Sequence, residues 1–293
     1  MRRSFLIVAI AILALTGCVH HTPFEEEYYF QAMGEEGELV VTADLDKIRG
    51  SNKLNAVPTN AIIDRADRVS ASLTPSEGTD AKDLSTYSIY GALEGNYGKL
   101  TGNTALSWSK EFDKASEYGI TFYRSKEYGI EAGVPKSGIL LFSNSSYANA
   151  YMKTISNRVT RIPDSVASRM ASAHAALFVD SPKALFDIGF ELPDSVLAKT
   201  DTAVFLVAEE NDAVYLSAEI NMADMQSART LCTLLRNQTL QSLRRAGITP
   251  DFKDLSARFF YSDKTVVIDH MALDDEMAAK TRALIENAAG GLF

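Results

Sequence analysis

Four histidines and two cysteines are the side chains of this sequence best suited to acid–base, nucleophilic or metal chemistry. Their spacing brings few of them together. His20 and His21 follow Cys18 in a stretch with no regular apolar period, so they have no fixed geometry for a metal ion. His174 has no motif around it. His270 follows Asp269 within an alternating stretch, Thr265 to Leu273. Neighbours on a strand point to opposite faces. Asp269 therefore goes with Val267 and Met271, and His270 with Val266 and Ile268. The two form no acid–base dyad unless the strand bulges. Cys232 falls inside an amphipathic helical pattern, without an accompanying His or Asn motif, and reads as a small buried hydrophobe.

Recognisable catalytic signatures are missing from the chain. It contains no HExxH, CxxC, GxSxG or GxxxxGK[ST]. Gly98-Lys99-Leu100-Thr101 begins like a phosphate loop, but such a loop needs Gly five positions before Gly98 and Ser or Thr directly after the Lys. Leu93 and Leu100 occupy those positions. The acidic pairs Glu209-Glu210, Asp274-Asp275 and Asp44 with Asp46 fall at an expected turn, at a helix start and after a strand. Acids at a helix start favour its dipole without further function. No catalytic residue, metal or cofactor is therefore expected, and an envelope enzyme of unknown class stays only as a second alternative.

The residue with the clearest chemistry is Cys18. Arg2 and Arg3 precede an apolar run, Phe5 to Leu15, which ends in Leu15-Thr16-Gly17-Cys18. A basic start, a short apolar core and small residues at the cut define a secretory signal. The run falls short of the roughly 20 apolar residues of a membrane span. The four residues resemble a bacterial lipobox. That resemblance implies cleavage after Gly17, acylation of Cys18 by chains such as palmitate, and a body tethered outside the cytoplasm. Val19 stands where some lipoproteins carry an inner-membrane retention Asp, which favours the outer membrane where the cell has one. With Cys18 acylated, Cys232 has no intrachain disulfide partner.

Removing residues 1–17 leaves 276 residues and moves the formal charge from −9 to −11, because Arg2 and Arg3 leave with the signal. An acidic body of this kind is not a general nucleic-acid binder, which shows a basic surface. With 46% apolar residues, the chain has ample material for a core.

The elements follow from periodicity. Residues 18–37 read as an acidic acylated tether, able to extend about 60 Å at roughly 3.3 Å per residue. Tyr28, Tyr29 and Phe30 interrupt it and are expected to pack on the body. The body then carries one plan twice, in units 38–158 and 174–293, joined by a helical connector over 159–173. Each unit opens with a strand: Leu39 to Ala43, and Ala176 to Val179. A helical or irregular segment follows: Asn60 to Ser70, and Lys183 to Ile188 with Pro193 to Leu197. Next comes a hairpin: Tyr87 to Leu93 with Leu100 to Ser107, and Ala203 to Ala208 with Val214 to Ile220. A helix comes after it: Lys110 to Tyr118, and Ala223 to Ala246, the second stopped by Gly247. Further strands cover Ile120 to Tyr123, Gly129 to Val134 and Ile139 to Phe142 in one unit. In the other they cover Ala257 to Tyr261 and Thr265 to Leu273. Each unit ends in a capped helix, opened by Ser145 or Ser146 and by Asp274. An extra loop near Ser72 to Lys82 accounts for the drift between copies. The pattern predicts an α+β fold: two similar units of mostly antiparallel sheet with helices packed on one face. It reads as an internal duplication, with one continuous α+β domain as the alternative.

Within Ala223 to Ala246, Met225, Ala228, Cys232 and Leu235 form an apolar stripe, with Leu231 and Leu243 beside it. Arg229, Arg236, Arg244 and Arg245 make the helix basic. They are expected to pair with this protein's own carboxylates, with contact to a membrane surface or a partner as the alternative. The functional expectation is a non-enzymatic binding or scaffolding lipoprotein of the cell envelope. Its partners would be the bilayer, through acylated Cys18, and an envelope protein or lipid ligand. The alternative is a carrier of lipid or apolar ligands, or a membrane-active lipoprotein.

Overall fold

The computed structural model describes residues 28–33, 39–55, 57, 61–75, 87–157, 159–180, 193–245, 247, 249, 251–275, 277–279 and 281–283. Leu15, Thr16, Gly17 and Cys18 lie outside these residues, as do His20 and His21, Lys183 to Ile188 and the end of the C-terminal helix.

The chain has the α+β class expected from its sequence. Twelve strands form one antiparallel sheet. The first half contributes β1 (Leu39–Asp44), β2 (Ala66–Pro75), β3 (Tyr87–Gly95), β4 (Phe112–Glu117), β5 (Ile120–Ser125), β6 (Glu131–Lys136) and β7 (Ile139–Ser143). The second half contributes β8 (Ala175–Val179), β9 (Thr200–Glu210), β10 (Ala213–Met222), β11 (Phe259–Ser262) and β12 (Thr265–Ala272). Their order is β11-β12-β10-β9-β8-β1-β2-β3-β7-β6-β5-β4. The halves meet where β1 pairs with β8, from Leu39↔Val179 to Ala43↔Ala175.

Among the described residues these strands are accompanied by α1 (Leu45–Gly50), α2 (Lys99–Trp108), α3 (Tyr147–Tyr151), α4 (Asp164–Ser172), α5 (Asp194–Leu197), α6 (Met225–Arg245) and α7 (Phe252–Arg258), and residues 275, 277–279 and 281–283 are helical as well. Reading outward from the junction, β1-β2-β3-β7-β6 mirrors β8-β9-β10-β12-β11. Helices α1 and α5 follow the first strand of each half, and α2 and α6 follow the third. The β4–β5 hairpin has no counterpart among the described residues of the second half. It is an insertion at the far edge of the sheet.

Both faces of the sheet are apolar, and both are covered. On one, Val40, Ala92, Leu141 and Phe178 pack with Phe30, Tyr147 and Met170. On the other, Leu39, Val179 and Ile220 pack with Leu231, Cys232 and Leu255. Val41, Leu93 and Phe142 lie on the same side with Leu45 and Ile63. The α5, α6 and α7 helices therefore share one face, while the first half carries α1 on that face and α3 on the opposite one. Burial at period two on both sides of β1, β3 and β7 requires cover on both.

Three expectations are corrected. The segment Leu100 to Ser107 is helix α2, not a strand, and β3 takes β2 as its hairpin partner. Lys110 to Tyr118 is mostly strand β4, not a helix, because Tyr118 (φ 51°) and Gly119 (φ 78°) turn the chain straight back into β5. In the segment expected to be helical or irregular, Asn60 to Ser70, the described residues hold a 3-10 turn at Ile63–Arg65 and then strand β2 from Ala66 onward. The extra-loop segment is strand up to Pro75, and residues 76–86 lie outside the described residues.

The tether expected over 18–37 is also interrupted. Tyr29–Ala32 is a buried 3-10 turn in the core. The Gln31 amide donates to Ile162 O (3.2 Å) and to Asp164 Oδ1 (2.9 Å), pinning this turn to the start of α4. Tyr29 and Phe30 pack on the body as expected.

Helix α7 (Phe252–Arg258) takes in Ala257 and Arg258, expected in a strand that instead begins at Phe259, because Asp251 caps a helix by accepting from Lys253 N and Asp254 N. Other elements follow their sequence signals. Asn211 (φ 51°) and Asp212 (φ 61°) form the two-residue turn between β9 and β10. Two consecutive positive φ angles match the right-handed twist of a hairpin. Ser146 caps α3 by accepting from Asn149 N. Gly247 (φ 73°) donates to Arg244 O and closes α6.

Candidate functional site

The insertion at the sheet edge adjoins an open groove. Strands β5 and β6 pair only at Tyr123↔Ala132 and Arg124↔Glu131. Beyond that point they separate, and α2 fills the gap. The Asn103 side chain replaces the missing strand: its amide donates to Val134 O (2.9 Å), and its oxygen accepts from Val134 N (3.0 Å). Gly102 allows the close approach, since a Cβ there would stand 2.8 Å from Val134 Cγ2. Leu106 is buried beneath the helix.

The opposite side of α2 faces solvent. Leu100 is 81% exposed and Trp108 82%. With Thr104 they repeat every four residues, so they form one stripe along the helix. Next to that stripe runs a groove of about 320 Å³, lined by Lys99, Leu100, Asn103, Thr104, Ser107, Trp108 and Tyr123. Small-ligand sites span roughly 300–1,000 Å³. Exposed Tyr118 and Tyr128 occupy the turns that begin and end the β5 region. Among the groove residues Lys99 is the one charged group, although the chain as a whole is acidic.

The histidines are placed differently. His174 sits where β8 begins, and its Nδ1 accepts from Glu209 N (3.3 Å). Burial, then the nearby Lys47 ammonium, lowers its pKa below the ordinary imidazole value. Burial works against ionisation of Glu209, but hydrogen bonds from Ser51, Lys53 N and Asn52 N and the proximity of His174 together hold its carboxyl below the usual range. Glu209 thus fastens the loop after α1 to the end of β9, a structural role.

β12 does bulge. Asp269 and His270 stand together between the pairs Leu216↔Met271 and Ala218↔Ile268. His270 has φ 48°, and its backbone N donates to Ser217 Oγ (3.2 Å). The imidazole stacks on Tyr215 with centroids 3.8 Å apart, and Nε2 lies 3.7 Å from Glu210 Oε2. Asp269 is not its partner, so the bulge that could have assembled a dyad turns His270 toward Glu210. Both side chains are largely exposed, and no water-excluded centre surrounds them. Among the described residues, no group of three or more His, Cys, Asp or Glu side chains is placed to hold a metal ion.

Cys232 is buried in α6, and burial raises its thiol pKa, which keeps it unreactive. The arginines of α6 depart from expectation. Arg236 donates to the main-chain carbonyl of Phe259. Arg229, Arg244 and Arg245 are exposed, and no carboxylate among the described residues lies within ion-pairing distance of them. α6 packs its apolar stripe on β11 and β12 and leaves these three arginines on its solvent side. Met225, expected in that stripe, is 59% exposed.

Trp108 and Leu100 were not legible as site residues. The inner stripe of α2 is Gly102, Asn103 and Leu106, too polar to register as an amphipathic helix. The signal that could have exposed it is the i, i+4, i+8 spacing of Leu100, Thr104 and Trp108.

The structure defines a class: an α+β body built on one long antiparallel sheet made of two topologically matched halves. Solved structures share it. Crystal form IV of TP0453 is similar with a TM-score of 0.57 at 11% identity, covering 88% of this chain and 96% of that one. Crystal form III gives 0.54 at 12% identity, covering 87% and 97%. Form I gives 0.53 at 11% identity, covering 87% and 96%. At such identity the likeness is one of fold alone. No family model and no curated protein matches the chain.

Proposed function

We propose that this chain is an extracytoplasmic lipoprotein, held by acylated Cys18 on a bacterial membrane, in the outer membrane where there is one. Its body has a non-enzymatic binding or scaffolding role. Leu15-Thr16-Gly17-Cys18 supports the anchor. The observation that carries the binding role is the α2 groove, with Trp108 and Leu100 turned to solvent beside it. Large apolar side chains grouped at a concave surface mark interaction sites. Nine residues, 19–27, stand between Cys18 and Tyr28, a contour of about 30 Å at roughly 3.3 Å per residue, so the acyl anchor lies within that reach of Tyr28.

A second reading rests on α6. Exposed Arg229, Arg244 and Arg245, with exposed Met225, favour contact with an anionic membrane surface. Among the described residues no helix is long and apolar enough to cross a membrane. Flotation separates the two readings. The mature chain with Cys18→Ser, mixed with liposomes containing anionic phospholipid, stays in solution if the body only binds partners. Flotation of this unacylated chain, lost when Arg229, Arg244 and Arg245 become Gln, would establish the second reading instead.

A further inference from the structure

The α2 groove has a composition that narrows its ligand. We propose that it is a saccharide subsite whose ligand is a chain of N-acetylated sugar units lying along α2; this rests on the binding role assigned to the groove above.

A sugar ring has an apolar C–H face and a polar edge of hydroxyls. The groove offers both kinds of surface. The indole of Trp108, 82% exposed, presents a flat, electron-rich face to stack against ring C–H groups. Among the described residues, the hydroxyls of Thr104 and Ser107 and the Lys99 ammonium have no hydrogen-bond or ion-pair partner, so they are available to a ligand. Asn103 is committed to Val134 and acts by holding the helix in place. Leu100 lies eight residues before Trp108, about 12 Å along the helix axis. That separation exceeds one sugar ring, so the ligand is an oligosaccharide. Leu100 provides the second apolar contact, suited to an acetamido methyl.

Other occupants fit less well. An acyl chain needs an enclosed apolar slot, whereas this groove is open and has three uncommitted polar side chains along its length. No carboxylate lines it in a chain of net charge −9, so a neutral or anionic glycan meets no repulsion.

Trp108 is the only tryptophan in the sequence and is therefore its own reporter. The Cys18→Ser chain is titrated with chitotetraose while indole emission is followed. Cellotetraose, with the same linkage but no acetamido groups, is the control. The expected result is a saturable emission change with chitotetraose, at least fivefold weaker affinity for cellotetraose, and about tenfold weaker chitotetraose binding in the Thr104→Ala/Ser107→Ala variant, the effect of losing one or two hydrogen bonds. Trp108→Ala, followed by calorimetry, loses binding. These positions face solvent, so the variants keep the fold. The proposal is overturned by no saturable response up to about 10 mM chitotetraose, by equal affinity in the Thr104/Ser107 variant or for cellotetraose, or by a response to phospholipid vesicles alone. Since the chain used carries no acyl group, such a failure leaves the Cys18 anchor untouched and is distinguishable from a failure of the lipoprotein reading.

Discussion

His174 and Glu209 show how charge is managed residue by residue. Both pKa values are lowered, with different consequences along the pH axis. The unfolded His174 takes a proton near its ordinary value of about 6.5, whereas the folded one resists. Stability from a neutral His174 is therefore full above that value and is lost as pH falls toward the lowered folded value. The Glu209 contribution persists to lower pH. It is present above the ordinary glutamate value of about 4.3 and fades below it. Urea unfolding between about pH 7.5 and about pH 5, an interval that brackets the ordinary imidazole value of about 6.5, should show stability declining with acidity. In His174→Asn, which keeps an acceptor for Glu209 N, the slope over that interval should be shallower. An unchanged slope would remove His174 from the account.

The element scale is where sequence and structure part company, and the segment from Tyr87 to Ser125 shows why. The second-half hairpin was legible because β9 and β10 alternate around Asn211-Asp212, residues that accept positive φ. In the first half the corresponding antiparallel pair is β2 with β3, whereas the Gly95–Gly98 cluster suggests a hairpin on the other side of β3. Gly98 is instead the N-cap of α2. The helix is stabilised by Asn103 bonding to Val134, a tertiary contact that no local pattern reveals. Lys110 to Tyr118 carries no clear strand alternation, and β4 is defined instead by the Tyr118-Gly119 turn that pairs it with β5. The candidate groove inherits the illegibility of α2, which supplies six of its seven lining residues, the seventh being Tyr123 on β5. The same turn gives a test. Tyr118 holds a positive φ that suits Asn far better, and its ring is 84% exposed. Tyr118→Asn should stabilise the protein by roughly 0.5–1 kcal/mol in urea unfolding. Destabilisation would mean that the hairpin is not closed by this turn.

At the scale of the whole molecule, the duplication reading gains from the topology, where strand order and helix placement match in both halves. The offset between matched strands falls from 136 residues at the first pair, Leu39 to Ala175, to 126 at the last, Ile139 to Thr265. Yet the halves are not independent bodies. β1 and β8 join them in one sheet, and Lys47 donates to Ser172 O across the boundary (2.7 Å). Buried Arg68 on β2 bonds to Ala171 O (2.9 Å) in the connector helix α4. Unfolding should accordingly be a single transition. In the Cys18→Ser chain, circular dichroism of the whole and thiol labelling of Cys232 in the second half should share one urea midpoint. Separate midpoints would show that the halves unfold independently.

The central claim is that this body is carried by a lipid on Cys18. The direct measurement is metabolic labelling with a clickable palmitate analogue in a bacterial host expressing the full chain, read together with membrane fractionation. The account predicts label on the wild-type chain, none on Cys18→Ser, and membrane association lost with the label. A wild-type chain that takes up no label, or a Cys18→Ser chain that is labelled equally, would contradict it.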